Sequence, residues 1–297
     1  MNKLLYILVL TYCNLNFAQV SKDTSYTVFS EFNKQLKKYP FIEIAQTTRN
    51  ESITLKKDIA FHTVSNRNLH LDAYYKKSEK KIPAVILIHG GGWKSGNKLM
   101  LQSLAQEIAK NNYQCFAIEY RLSDEAIYPA AINDILNAIQ FIKRNSAEYS
   151  IDLNNIALLG CSSGAQIVSL IGTKYPKGIK AVVNLDGILA FHHPQSQEGK
   201  LASQWLGGTF KEKPEVWEDA SALTHVSKST PPFLFINSQY ERFHAGRDEM
   251  ITKMKSFNID SKVETIENSP HTFWLFHPWF EKTINYIVTF LDEKLKL

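Results

Sequence analysis

From about residue 80 onward, short apolar runs alternate with segments of helical periodicity, and this alternation constrains the fold more than any other feature. Ala84, Val85, Ile86, Leu87 and Ile88 form a continuous apolar run after Pro83, as expected of a strand covered on both faces. Leu101, Leu104, Ala105 and Ile108 then follow helical spacing until Asn111 and Asn112 stop them. Residues 115–119 and 156–159 read as further strands. Between them Pro129 opens a helix with Ile132, Ile135, Leu136, Ile139 and Ile142 on one face. Residues 180–185, 233–236 and 262–266 supply three more strands. Helices fall around Ile167–Ile171, around Met250 and Met254, and from Ile284 to Leu295. Ahead of this series, residues 59–64 and 69–75 read as two strands joined by the polar turn 65–68. The expectation is a mostly parallel central sheet with helices on both faces. Right-handed crossovers then gather the loops at the strand C-termini on one edge.

Organisation follows from what does not fit the alternation. Residues 187–231 separate two strands by a stretch long for a plain crossover, and read as a cap or insert over that edge. Residues 19–55 are polar and weakly patterned, a leader expected to pack on the domain of residues 56–297. The first 18 residues join Lys3, an apolar run from Leu4 to Leu10 and a small Ala18. This is the pattern of a secretory signal peptide, and it is too short to span a bilayer. The expected location is therefore secreted or periplasmic; Cys13 offers lipoprotein anchoring as a lesser alternative, with bulky Tyr12 before it.

Composition narrows the partners. Of 297 residues, 44% are hydrophobic and 21% charged, which excludes wholesale disorder. The net charge of +5 is dispersed in clusters no longer than two, such as Lys37 and Lys38. No nucleic-acid face is signalled, while a mild preference for acidic partners is compatible. Cys115 and Cys161 sit on different expected strands and read as small buried hydrophobes rather than a disulfide. No metal-ligand spacing is present, and no cofactor is expected.

Two short motifs carry chemistry. Gly160-Cys161-Ser162-Ser163-Gly164 lies between a strand and a helix. There a tight turn needs small flanking residues and holds the Ser162 hydroxyl clear of the backbone. His89-Gly90-Gly91-Gly92-Trp93 follows the strand ending at Ile88. The backbone N–H groups of Gly91, Gly92 and Ser163 are candidates to stabilise the oxyanion of acyl transfer, since no side chain blocks glycine amides.

Together with Tyr120-Arg121-Leu122, the stretch 129–134, Ala220-Ser221-Ala222-Leu223 and the run 231–236, these motifs resemble the α/β-hydrolase superfamily. Within it the chain looks like secreted bacterial carbohydrate esterases of the feruloyl and acetyl-xylan type. The resemblance covers residues 55–297. It departs at Cys161-Ser162-Ser163, where relatives often have Glu-Ser-Ala, and at Asn237-Ser238, where they usually have His-Gly. It implies an α/β-hydrolase fold with a cap insertion, and a serine carboxylesterase working through a Ser-His-acid triad. Ser162 would be the nucleophile and His271, on the loop after the last strand, the base, with His277 as fallback. Glu241, at the offset where relatives place Asp, would be the acid, with Asp186 as its rival.

The expected reaction is removal of acyl groups, acetyl above all, from plant or algal polysaccharide or its fragments. The alternatives are a general short-chain or lipid esterase, a serine peptidase, and a non-catalytic binding module. Trp93, Trp205, Trp274 and Arg242 are candidate substrate contacts, since flat rings suit sugar faces. Arginine in the cluster Arg242, His244 and Arg247 could hold a carboxylate; ordinary packing and a solvated helix start account for these residues equally well. Oligomeric state is not legible.

Overall fold

The computed structural model describes residues 25–47, 50–65, 67–197 and 199–296. Residues 1–18, with Cys13, and Asn66 of the expected turn lie outside the described residues. In chain order the elements are α1 (Val28–Gln35), β1 (Glu43–Ile44), β2 (Thr54–Val64), β3 (Arg67–Tyr75), β4 (Ile82–Ile88), α2 (Gln102–Lys110), β5 (Gln114–Ile118) and α3 (Ala130–Arg144). Then come β6 (Ile151–Cys161), α4 (Ser163–Lys174), β7 (Ala181–Leu185), α5 (Gly199–Leu206), α6 (Pro214–Asp219), β8 (Phe233–Asn237), α7 (Arg247–Ser256), β9 (Ser261–Thr265), β10 (Phe276–His277) and α8 (Trp279–Leu295).

Eight strands form one sheet in the order β2-β3-β5-β4-β6-β7-β8-β9. The β2–β3 and β3–β5 pairs are antiparallel, and every later pair is parallel. Central strands β5, β7 and β8 are buried along their whole length, whereas edge strand β2 is largely exposed and edge strand β9 only partly covered. That is why the middle of the sheet reads as continuous apolar runs. The strand period of two divides the core. In β4, Ala84, Ile86 and Ile88 face a layer containing α3, α4 and Met250 and Met254 of α7. Val85 and Leu87 face a layer containing α2 and α8.

Cys115 and Cys161 are both free and buried, on strands that have β4 between them. Two strand spacings, about 9.5 Å, exceed disulfide reach. Burial pushes both thiols well above their ordinary pKa.

The leader carries more order than its composition suggests. Helix α1 is opened by a reciprocal Thr27–Ser30 capping box. It is pinned by Phe32 against Phe276, ring centroids 6.1 Å apart, and by the β1–β10 pairing. Tyr39 packs edge-on against Trp279 at 5.3 Å. These contacts lay α1 along the sheet edge where the β6–α4 turn emerges. Between β7 and β8, the stretch expected as a cap holds α5, α6 and a 3-10 turn at Ala222–His225.

Candidate active site

The β6–α4 turn is built by close approach. Ser162 adopts φ 54° and ψ −121° between the strand and the helix, a strained conformation for a side chain with a Cβ. A Cβ on Gly160 would stand 2.2 Å from the Gly164 carbonyl oxygen. One on Gly164 would stand 2.3 Å from that of Ile88. The two glycines therefore let helix α4 start against β4 and β6, with Ser162 raised at the corner.

His271 reaches this corner from the loop after β9. That loop is tied by Ser269 Oγ donating to the Ile266 carbonyl at 2.6 Å and by Gln239 Nε2 donating to the Ser269 carbonyl at 3.1 Å. The imidazole stacks on Phe243 at 3.5 Å and meets the edge of Trp274 at 5.4 Å. Its Nε2 lies 2.8 Å from Ser162 Oγ and its Nδ1 2.7 Å from Asp186 Oδ2. A carboxylate on Nδ1 requires the proton there, leaving Nε2 to accept from the serine hydroxyl.

Asp186 is the acid in contact with His271, which corrects the expectation for Glu241. It follows β7 directly and is fully buried. Its carboxylate accepts from Ser238 Oγ at 2.5 Å, from the Ser238 amide at 3.0 Å and from Asn237 Nδ2 at 3.4 Å. His244 Nε2 stands 3.3 Å from its Oδ1. Burial alone would raise its pKa. The imidazoles of His244 and His271 and the Ser238 hydroxyl outweigh that and hold it at about 2.

Glu241 begins an exposed 3-10 turn, Glu241–His244. That turn sends Phe243 inward against the imidazole and leaves the glutamate outside. The reason lies in strand order. β7 pairs with β6, so the residue after β7 emerges beside Ser162. The residues after β8 supply Ser238, which holds Asp186. His277 is elsewhere, 2.7 Å from Glu281.

Gly91, at φ 127°, turns back so tightly that a Cβ would meet the Ser95 carbonyl oxygen at 2.0 Å. Among the described residues, no acceptor is bonded to the N–H of Gly91, Gly92 or Ser163. Gly91 and Gly92 line a cleft with Ser162 and His271, and Gly92 and Ser163 line a second cavity with Ser162. Ser163 also opens the 12-residue helix α4, whose N-terminal dipole favours negative charge at this point. The Tyr120 hydroxyl braces the glycine loop by donating to the His89 carbonyl at 2.9 Å.

The space around Ser162 has two unequal sides. One is a small cavity of about 20 Å³ lined by Trp93, Gln166, Ile188 and Phe243. The other is an open cleft of about 420 Å³, with Tyr26, Glu31 and Lys34 of the leader on one wall and Tyr240 and Arg242 on another.

The four candidate substrate contacts therefore separate. Trp93 lines the small cavity and is held by Nε1 donating to Gln166 Oε1 at 2.9 Å. Arg242 lines the cleft. Trp205 and Trp274 are corrected, since neither lines these spaces. Trp205 is fully buried and stacks behind Trp93 at 5.4 Å, because α5 folds back onto the α4 layer. Trp274 is buried against His271 and Phe273. Of the other basic residues after Glu241, His244 turns to Asp186, while Arg247 donates to Asn237 at 2.9 Å and to Asp248 at 2.8 Å.

Sequence reasoning missed the leader residues, Phe243, Gln166 and Ser238. Only the leader left a signal, the Thr27–Ser30 cap followed by Val28, Phe32 and Leu36 at helical spacing.

A parallel sheet in this order, a serine on a strained strand-to-helix corner and a histidine–aspartate pair aligned behind it define an α/β-hydrolase fold of the esterase kind. The chain belongs to the BD-FAE family, whose family model matches residues 71–263. Esterase LipC of Mycobacterium tuberculosis is 26% identical over 220 residues, which are 67% of this chain and 53% of LipC. The match thus spans about half the length of that relative. A truncated carbohydrate esterase from gut microbiota superposes with a TM-score of 0.68 at 18% identity, covering 85% of this chain and 100% of that one. An acetyl ester-xyloside bifunctional hydrolase from Caldicellulosiruptor lactoaceticus gives 0.65 at 17% identity, over 77% of this chain and 89% of that one. At these identities the two structures speak for the fold.

Proposed function

We propose that this protein is a serine esterase that removes acetyl groups from the hydroxyls of carbohydrates. The observation that carries the reading is the Ser162–His271–Asp186 line, at 2.8 and 2.7 Å, beside a cavity of about 20 Å³. The small side, walled by Trp93, Ile188 and Phe243, suits a short acyl group better than a long one, which weighs against a lipid esterase. The open cleft leaves a bulky alcohol room on the other side. The names of the carbohydrate esterases that share the fold support a sugar there.

In this reading Ser162 Oγ attacks the ester carbonyl carbon while His271 Nε2 takes its proton. The amides of Gly91, Gly92 and Ser163 receive the oxyanion. Asp186 keeps Nδ1 protonated and stabilises the imidazolium. The C–O bond to the sugar breaks as His271 returns the proton to the leaving oxygen. Water, deprotonated by His271, then attacks the acetyl-serine, giving acetate and free Ser162. The Lys3, Leu4–Leu10 and Ala18 pattern supports export, and with it a substrate outside the cytoplasm.

The test is a p-nitrophenyl ester series from acetate to octanoate, together with acetylated xylo-oligosaccharides, using Ser162→Ala as the blank. Acetate is expected to be fastest and Ser162→Ala inactive but folded. Faster octanoate cleavage, or a Ser162→Ala variant with near-wild-type turnover, would overturn the reading.

A further inference from the structure

The open side of the site carries an unbalanced charge. Lys34 from α1, Lys94 from the loop after β4 and Arg242 from the turn after β8 line the same cleft as Ser162 and His271. Glu31 is the only carboxylate among the described residues lining it, and it is already engaged. Its Oε1 accepts from Gln35 Nε2 at 2.6 Å and from Thr272 Oγ1 at 3.3 Å, with Lys34 Nζ at 3.5 Å.

Arg242 and Lys94 make no ion pair among the described residues. Arg242 lies 4.3 Å above the ring of Phe243, the same ring that stacks on His271. Its planar fork is thereby steadied next to the reacting centre with its donors unspent. Isolated surface cations are usually only solvated. Here three of them, from separate elements, converge on one cleft with no free counter-charge. Tyr26 and Tyr240 add flat rings to the same walls, and Lys38 Nζ fixes Tyr240 by donating to its hydroxyl at 2.8 Å.

We propose that this cleft, walled by the N-terminal helix and the Glu241–His244 turn, is a leaving-group subsite for an anionic sugar. The anion would be a uronic-acid carboxylate or a sulfate ester on the acetylated saccharide. The inference rests on the esterase reading above and adds the class of alcohol. The tyrosine rings receive the sugar face, and the Gln35 amide on the same wall offers polar atoms to its hydroxyls. Arg242, Lys94 and Lys34 hold the anion, Arg242 by its fork. Such a contact acts on substrate binding before any bond is made, so its signature lies in kcat/KM and weakens with salt.

The experiment compares three acetylated oligosaccharides matched in length: one neutral, one bearing uronic acid and one bearing sulfate. p-Nitrophenyl acetate reports the acyl chemistry by itself. Wild type should favour an anionic substrate by about tenfold in kcat/KM at ~0.01 M salt, the preference shrinking at ~0.3 M. Combining Lys34→Gln, Lys94→Gln and Arg242→Gln should bring the ratio of anionic to neutral substrate close to one. The faster of the two anionic substrates names the anion. Equal rates on all three saccharides, or a preference that survives the triple variant, would overturn the subsite while leaving the esterase reading intact. Failure to cleave p-nitrophenyl acetate as well would sink the esterase reading itself.

Discussion

Replacing Asp186 with asparagine keeps its shape and removes its charge, and the surrounding donors decide how the new amide sits. The Oδ1 position faces the Ser238 amide at 3.0 Å and Asn237 Nδ2 at 3.4 Å. The Ser238 N–H is backbone, and the Asn237 amide is oriented by Arg247 donating to its Oδ1 at 2.9 Å. Both demand an acceptor, so the oxygen of the introduced amide would settle there and its NH2 would turn to His271 Nδ1. That contact forces the other tautomer, in which Nε2 carries the proton and can no longer accept from Ser162. Loss of the anion adds to this. At ~4 Å and an effective dielectric of ~20 the pair is worth about 4 kcal/mol, or about a thousandfold in rate. With the wrong tautomer, Asp186→Asn should lower kcat by about 10⁴. Glu241→Gln, on the exposed turn, should stay within about twofold. Turnover of p-nitrophenyl acetate at saturation measures both. A kcat for Asp186→Asn within tenfold of wild type, or a large loss in Glu241→Gln, would refute the assignment of the acid.

Two further outcomes rest on the same geometry. Ile188→Ala enlarges the small cavity, and each methylene it admits is worth about 0.8 kcal/mol. Butyrate turnover relative to acetate should therefore rise about tenfold in the ester series; an unchanged ratio would mean the acyl group lies elsewhere. Asp186, held at about 2 against an ordinary 3.8, stabilises the fold at pH values above ~4, and this contribution is lost as pH falls through about 2. Denaturant melts from pH ~5 to pH ~2 should show wild type losing roughly 2 kcal/mol more than Asp186→Asn, and parallel curves would contradict it.

The parallel sheet, its helices and the serine corner were legible because each rests on local rules. β4, β5, β7 and β8 are buried on both faces and so read as mainly apolar runs, with Asn184 the polar residue inside β7. Gly160 and Gly164 are dictated by backbone contacts at 2.2 and 2.3 Å, and such contacts leave a mark in the sequence. Helix α1 was not legible as part of the site. Its exposed Phe29 and polar face hide an apolar stripe that matters only once β10 and α8 are in place. Trp205 and Trp274 looked like surface rings because an aromatic on a long connection reads the same whether it lies on a cap or beneath one.

Sequence by itself determined the chemistry available: a serine between two glycines that permit its turn, a glycine loop after β4 and a late histidine. Only the tertiary structure decided which carboxylate stands behind that histidine and which residues wall the cleft. The physical reason is distance along the chain. Asp186 lies 85 residues from His271, and Thr272 lies 241 from Glu31. Partners so far apart are chosen by strand order and helix packing, which bring β7 beside β6 and α1 over the cleft, and no local propensity or spacing encodes that choice.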